Sequence, residues 1–208
     1  NDIWQILLIR SLFFMIALTA FLFLTYKKNT INIIKKSGFP AIVAGLFLSL
    51  SFVAYVVAMS KTTVANVVFI ISTQTIFLAL FGFLFLKEKI TFKGLIAITL
   101  AFVGMLVMVG DSINQGTLFG NIVAFAIPIN FTILVMIIRK FPDLDMVPAI
   151  FYSGIFSGIY GLVLAGNLTF SSNDILMGFL LGVPQLAFGF ICVTIGTKTT
   201  KAVTVGLL

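Results

Sequence analysis

The sequence is defined first by what it has little of: no histidine, one cysteine, one tryptophan and six acidic residues in 208. Without histidine, neither an imidazole general base nor a histidine-ligated metal can be built from this chain. The lone Cys192 excludes a disulfide framework and a thiolate metal site. No acidic pair falls inside an apolar run, which removes aspartyl chemistry at membrane depth, and a Ser-Lys dyad, formally open, finds no lysine at mid-span. Charged residues amount to 9% of the chain against 61% apolar ones, where soluble domains average about 25% charged and about 45–50% apolar. A water-soluble fold could not hide that much apolar surface, and disordered chains have the opposite composition. The solvent is lipid, and an enzyme is not expected.

What is present is a succession of long apolar runs, such as 47–59, apolar on all sides and without the strict alternation of a membrane β-barrel. Each crossing needs about 20 mostly apolar residues, and the runs predict spans at 3–26, 39–60, 64–86, 91–110, 117–138, 146–166 and 175–196, with an eighth starting near Ala202. Turn formers punctuate them at Gly38–Pro40, Gly110–Gly116 and Phe141–Asp143. The expected class is all-α, a polytopic transmembrane helix bundle. The net charge of +7 is a topology signal rather than a nucleic-acid surface, because the cations lie between spans. One set of alternate loops carries Lys27, Lys28, Lys35, Lys36, Lys87, Lys89, Lys93, Arg139, Lys140, Lys198 and Lys201, and the other only Lys61. By the positive-inside rule the first span starts outside and ends in the cytoplasm.

An internal repeat accompanies this alternation. Ser60-Lys61-Thr62-Thr63 matches Thr197-Lys198-Thr199-Thr200, and the same offset of 137 residues carries Gly45 onto Gly182. Both copies sit where one apolar span ends and the next begins, yet the first falls on the outer side and the second on the inner side, which is the mark of an inverted-topology repeat. Five spans per copy would make an intact protein of ten helices and about 280–290 residues, with one further helix expected just before Asn1 and another beyond Leu208.

Polar residues inside the spans are the candidates for solute contact. Arg10 is the one charge clearly within a span, where an ionisable group is costly unless it meets a partner or water. It is read as a counter-charge for a substrate carboxylate, against the plainer reading of a side chain snorkelling to the interface. Gln74 and Asn66 lie two turns apart and are expected to share a face; Tyr55, Asn130, Tyr152 and Gln185 complete the set. Interhelical hydrogen bonding is the alternative for each. Asn130 follows Pro128 and Gln185 follows Pro184, pairs that predict locally broken helices along a pathway. Ser153, Gly154, Ser157, Gly158 and Gly161, with Gly178 and Gly182, form small-residue steps that predict close helix packing.

The stretch Thr63–Phe69 through Phe85-Leu86-Lys87-Glu88-Lys89-Ile90-Thr91-Phe92-Lys93-Gly94, followed by Gly104–Val107, resembles the EamA-type drug/metabolite transporter superfamily. Arg10 is similar to that family's arginine near the start of its second helix. One departure is the lack of a proline near Thr75, which predicts a straighter helix here. The resemblance implies two EamA repeats, residues 1–116 lacking a first helix and 117–208 lacking a C-terminal part. It implies a secondary transporter in the bacterial cytoplasmic membrane that moves a small organic solute, amino acid-like or otherwise polar, by alternating access and in the direction of export. A flippase of lipid-linked or amphipathic substrates is the alternative. The expected partners are the solute and the bilayer, with no nucleic acid and no cofactor or metal; a homodimer is compatible with this reading.

Overall fold

A computed structural model describes residues 2–87, 94–96, 98–100, 102–104, 107, 117–166 and 168–197. Backbone polar groups have no water to bond in a bilayer, so the chain satisfies them within helices, and among the described residues there is no strand. In chain order the elements are α1 (Ile3–Tyr26), a 3-10 turn (Lys27–Asn29), α2 (Thr30–Lys61), α3 (Val64–Ser72), α4 (Gln74–Leu86), α5 (Leu118–Lys140), α6 (Val147–Leu164), α7 (Ser172–Leu180), a π-helical stretch (Leu181–Phe188) and α8 (Gly189–Thr197). Half of the expected span at 91–110, the whole loop 110–116, Glu88 and the second copy of the repeat beyond Thr197 lie outside the described residues.

Among the described residues, five helical stretches are long and apolar enough to cross a membrane. The first of them, Ile3–Lys61, runs to 59 residues, yet Phe14 meets Phe52 with ring centroids 5.7 Å apart. An unbroken helix would hold residues that distant in sequence about 57 Å apart. The stretch therefore folds back and supplies two crossings. Reversal occurs where Thr30 donates to the Lys27 and Leu22 carbonyls at 2.8 and 3.2 Å. A second bend follows at Gly38, whose φ of 54° is left-handed and two residues ahead of Pro40. The short arm before Gly38 carries Lys35 and Lys36, both exposed like Lys27 and Lys28.

Contacts fix the helix directions. Gly154 packs on Phe14 and Met15 while Gly161 packs on Leu8, so α6 runs antiparallel to α1. Gly178 meets Ile9 and Gly182 meets Arg10 through Phe14, so α7 runs parallel to α1. Thr62 reaches Asn121 and Ser51 reaches Ile127, so α5 runs antiparallel to α2. Lys27, Lys28, Lys35 and Lys36 consequently share one end of the bundle with Arg139 and Lys140. There the Tyr26 hydroxyl donates to Asp145 in the α5–α6 connection. At the other end the Gly166 amide donates to Asp2 at 3.2 Å.

The core lies where α1, α2, α5 and α6 meet, around Leu7, Phe14, Leu18, Leu48, Leu134, Ile138, Met146 and Ile150. The small-residue steps sit as expected: a Cβ on Gly161 would lie 2.8 Å from the Leu8 backbone, and one on Gly45 2.6 Å from the Ala149 carbonyl. The Ser11 and Ser157 hydroxyls pair at 2.8 Å across the same α1–α6 seam.

Candidate functional site

Asp2 caps α1 by accepting from the Trp4 amide at 3.2 Å, and two turns further on α1 presents Arg10. Its backbone is approached closely, since a Cβ at Gly182 would lie 2.6 Å from the Arg10 carbonyl oxygen. Only glycine allows that contact, and it brings Leu181 and Gln185 to the level of Arg10. The Arg10 side chain is 5% exposed. Its guanidinium carbon lies 5.3 Å from the Phe52 ring centroid and 5.8 Å from that of Tyr55, cation–π range. Neither Nε nor Nη2 has a hydrogen-bond partner. Buried polar groups are satisfied in the great majority of cases, and an unpaired cation out of water is the costliest exception.

Arg10 forms part of the wall of a cavity of about 590 Å³. The cavity extends from Ile3, Met59 and Ser60, at the end of the bundle opposite the lysines, to mid-span at Leu48, Phe131 and Phe190. Its walls are mainly apolar side chains from α1, α2, α3, α5 and the π-helical stretch, with Ser51, Tyr55, Gln74 and Gln185 as polar interruptions. A chain of rings lies across its inner limit: Phe14 on Phe52, Phe52 on Phe190 at 5.5 Å, and Phe190 on Phe131 at 6.1 Å. Beyond these rings, towards the lysine-rich end, the buried side chains of Leu18, Leu134 and Ile138 close the bundle.

Arg10, Tyr55, Gln74 and Gln185, on four separate segments, are thus gathered around one space. Asn66, Asn130 and Tyr152 do not line it. Asn66 donates to the Thr62 hydroxyl at 3.1 Å, and that hydroxyl donates to the buried Asn121 at 2.6 Å, an interhelical polar cluster near the helix ends. Tyr152 packs beside Phe151 and over Gly45, and Asn130 is half-buried on α5. Ser51 and Ser60 were not singled out in the sequence. A serine in a helix ordinarily bonds its own backbone, as Ser60 does to the Val57 carbonyl, and nothing in such a residue announces a cavity.

Three local expectations are corrected. The helix expected to be straight for want of a proline near Thr75 is interrupted at Thr73. Ser72 and Thr73 each donate to the carbonyl three residues back, at 2.6 Å in both cases, and such back-bonding competes with the helical ladder. That interruption also removes the basis for placing Asn66 and Gln74 on one face. Pro128, in contrast, does not break its helix: α5 runs through it, and Thr132 donates to the carbonyl of Pro128 at 2.7 Å. Pro184 does perturb its helix, in the form of the π-helical turns at 181–188 that hold Gln185 against the cavity.

Among the described residues no group of three or more His, Cys, Asp or Glu could hold a metal ion. The arrangement is suited to binding: one buried cation, two carboxamides and three hydroxyls around an apolar space within the 300–1,000 Å³ range typical of small-molecule sites.

Apolar helices that cross several times, enclosing a solute-sized cavity at membrane depth, define a multi-pass integral membrane protein. The chain belongs to the EamA-like transporter family, whose model matches residues 2–110. It is accordingly a membrane transporter of the drug/metabolite type. No curated protein and no solved structure matches it.

Proposed function

We propose that this protein is a secondary transporter that carries a small organic solute bearing an anionic group, by alternating access, with Arg10 as the solute's counter-charge. The observation that carries this reading is the buried Arg10 guanidinium, without partners at Nε and Nη2, in the wall of a cavity that ends blindly at mid-span. A solute anion supplies the acceptor that the protein withholds, and the ring chain at Phe52, Phe131 and Phe190 separates that solute from the far side. With the lysine-rich end assigned to the cytoplasm by the positive-inside rule, the cavity faces outward.

Two inverted repeats support the alternation. The offset of 137 residues pairs α1 with α6 and the spanning part of α2 with the stretch from α7 to α8. Each pair runs in opposite directions. The offset also relates two close contacts, Gly45 with α6 and Gly182 with α1, and it pairs Leu48 with Gln185, both in the cavity wall. Elements related in this way can exchange conformations, which converts an outward cavity into an inward one.

Counterflow in liposomes tests the proposal, with vesicles preloaded with a mixed pool of organic acids, amino acids and other small metabolites. Labelled solute should accumulate above protein-free vesicles, and Arg10→Ala should lower the rate at least tenfold, about 1.4 kcal/mol, with membrane insertion unchanged. Folded protein that accumulates nothing from the pool would remove small-solute carriage and favour an amphipathic, lipid-linked substrate.

A further inference from the structure

We infer that the solute is a monocarboxylate with an apolar body, and not a zwitterion, a dianion or a cation; this narrows the transport reading and rests on it. Charge balance in the cavity is the first ground. The chain's six acidic residues are Asp2, Glu88, Asp111, Asp143, Asp145 and Asp174, none of them inside a predicted span. Asp2 and Asp174 cap the starts of α1 and α7, and Asp145 accepts from Tyr26 and from the Val147 amide. Among the described residues none of them lines the cavity. An ammonium group taken into it would lose its water and find no counter-ion. Aromatic faces can substitute for a counter-ion, but those of Phe52 and Tyr55 already lie against the Arg10 guanidinium, which would repel a second cation. A dianion fails for the converse reason, because among the described residues Arg10 is the one charged side chain in the wall.

The geometry of the cation is the second ground. Nε and Nη2 form one edge of the guanidinium, the edge that pairs side-on with both oxygens of a carboxylate. These are the two atoms without partners. Both are covered by protein, so the carboxylate gains them through a rotation of the side chain away from the Phe52 and Tyr55 rings. The third ground is the wall itself. Around the one cation stand Ile6, Val56, Met59, Ile71 and Ile127, which suit an alkyl or aryl body. Gln74 and Gln185 add neutral donors and acceptors, fit for an oxo or hydroxy substituent beside the carboxylate.

The test is ligand-induced thermal stabilisation of the whole chain in detergent, run beside counterflow in liposomes. The probes are butyrate, hexanoate, 4-methyl-2-oxopentanoate, leucine, adipate and isoamylamine. Hexanoate and 4-methyl-2-oxopentanoate should bind, with affinity rising about fourfold for each methylene from butyrate to hexanoate. Leucine, adipate and isoamylamine should bind at least tenfold more weakly. Arg10→Gln should keep the ligand-free melting temperature and lose monocarboxylate binding. Leucine, adipate or the amine binding as well as the monocarboxylates, binding unaffected by Arg10→Gln, or no binding of any probe would overturn the inference. Monocarboxylate binding without counterflow would leave the ligand class standing and remove transport. Counterflow of leucine alone would do the reverse.

Discussion

At the scale of single residues, the site depends as much on an absence of side chain as on Arg10. Gly182 and Gly189 lie seven positions apart on the same wall element and its continuation, yet their surroundings differ. A Cβ on Gly182 meets the Arg10 carbonyl at 2.6 Å, and one on Gly189 meets nothing within 4 Å. Gly182→Ala is expected to cost about 1–3 kcal/mol by forcing α7 off α1, whereas Gly189→Ala should be neutral or slightly stabilising through the unfolded chain. Thermal unfolding in detergent measures both, and equal melting temperatures for the two variants would contradict the packing described. The sequence made this level partly legible. Arg10, Gln74 and Gln185 stand out because charge and carboxamides are rare in apolar runs, and rarity is visible without coordinates. Ser51 stays hidden because a helical serine has its own backbone to bond, here the Phe47 carbonyl at 3.4 Å, beside the Ile127 carbonyl of α5 at 3.3 Å. Asn66 misleads for the opposite reason: a large amide in a span satisfies itself on Thr62 as readily as on a solute.

At the scale of elements, the cytoplasmic closure is a set of contacts between helices that move relative to one another in any alternating cycle. The hydrogen bond from Tyr26 at the end of α1 to Asp145 ahead of α6 belongs to that set. In the proposed alternating cycle it opens when the cavity turns inward. Tyr26→Phe removes the bond and keeps the ring, so the inward-open population should rise severalfold. Labelling of Gln185→Cys in a Cys192→Ser background reads this out: reactivity from the lysine-rich side should increase severalfold, and unchanged reactivity would show that the bond contributes nothing to closure. Element boundaries are also where sequence reading was weakest. Proline was the cue for irregular backbone, yet α5 tolerates Pro128 while α3 and α4 part at Thr73, where no proline stands. The cause at Thr73 is side-chain competition for carbonyl acceptors, a signal spread over two hydroxyl residues. At Pro184 the cue succeeded, because the missing amide is absorbed by π-helical turns.

At the scale of the whole molecule, the alternation of charged loops set the order of crossings without reference to any contact, and the helix directions agree with it. That success has a physical cause. Lipid exposure makes each span apolar all round, and translocation confines lysine to one side, so topology is written in composition rather than in specific pairings. Cavity walls have no such signature, since an apolar residue facing solute and one facing lipid read alike. The orientation itself is testable by cysteine labelling in sealed cells with a membrane-impermeant reagent: Ser171→Cys, at the start of α7, should react, and Lys140→Cys should not. Reaction of Lys140→Cys alone would invert the assigned topology, and the cavity would then face inward. The corner between α1 and α2 gives the bundle a fixed point. Lys27 and Lys28, just before the reversal at Thr30, and Lys35 and Lys36, between it and the bend at Gly38, are all exposed, and an anionic leaflet attracts each lysine by about 1 kcal/mol. In the proposed cycle this corner is a hinge pin set in the headgroups: the far ends of α1 and α2 swing, and the lipid composition of one leaflet sets how firmly their near ends are held.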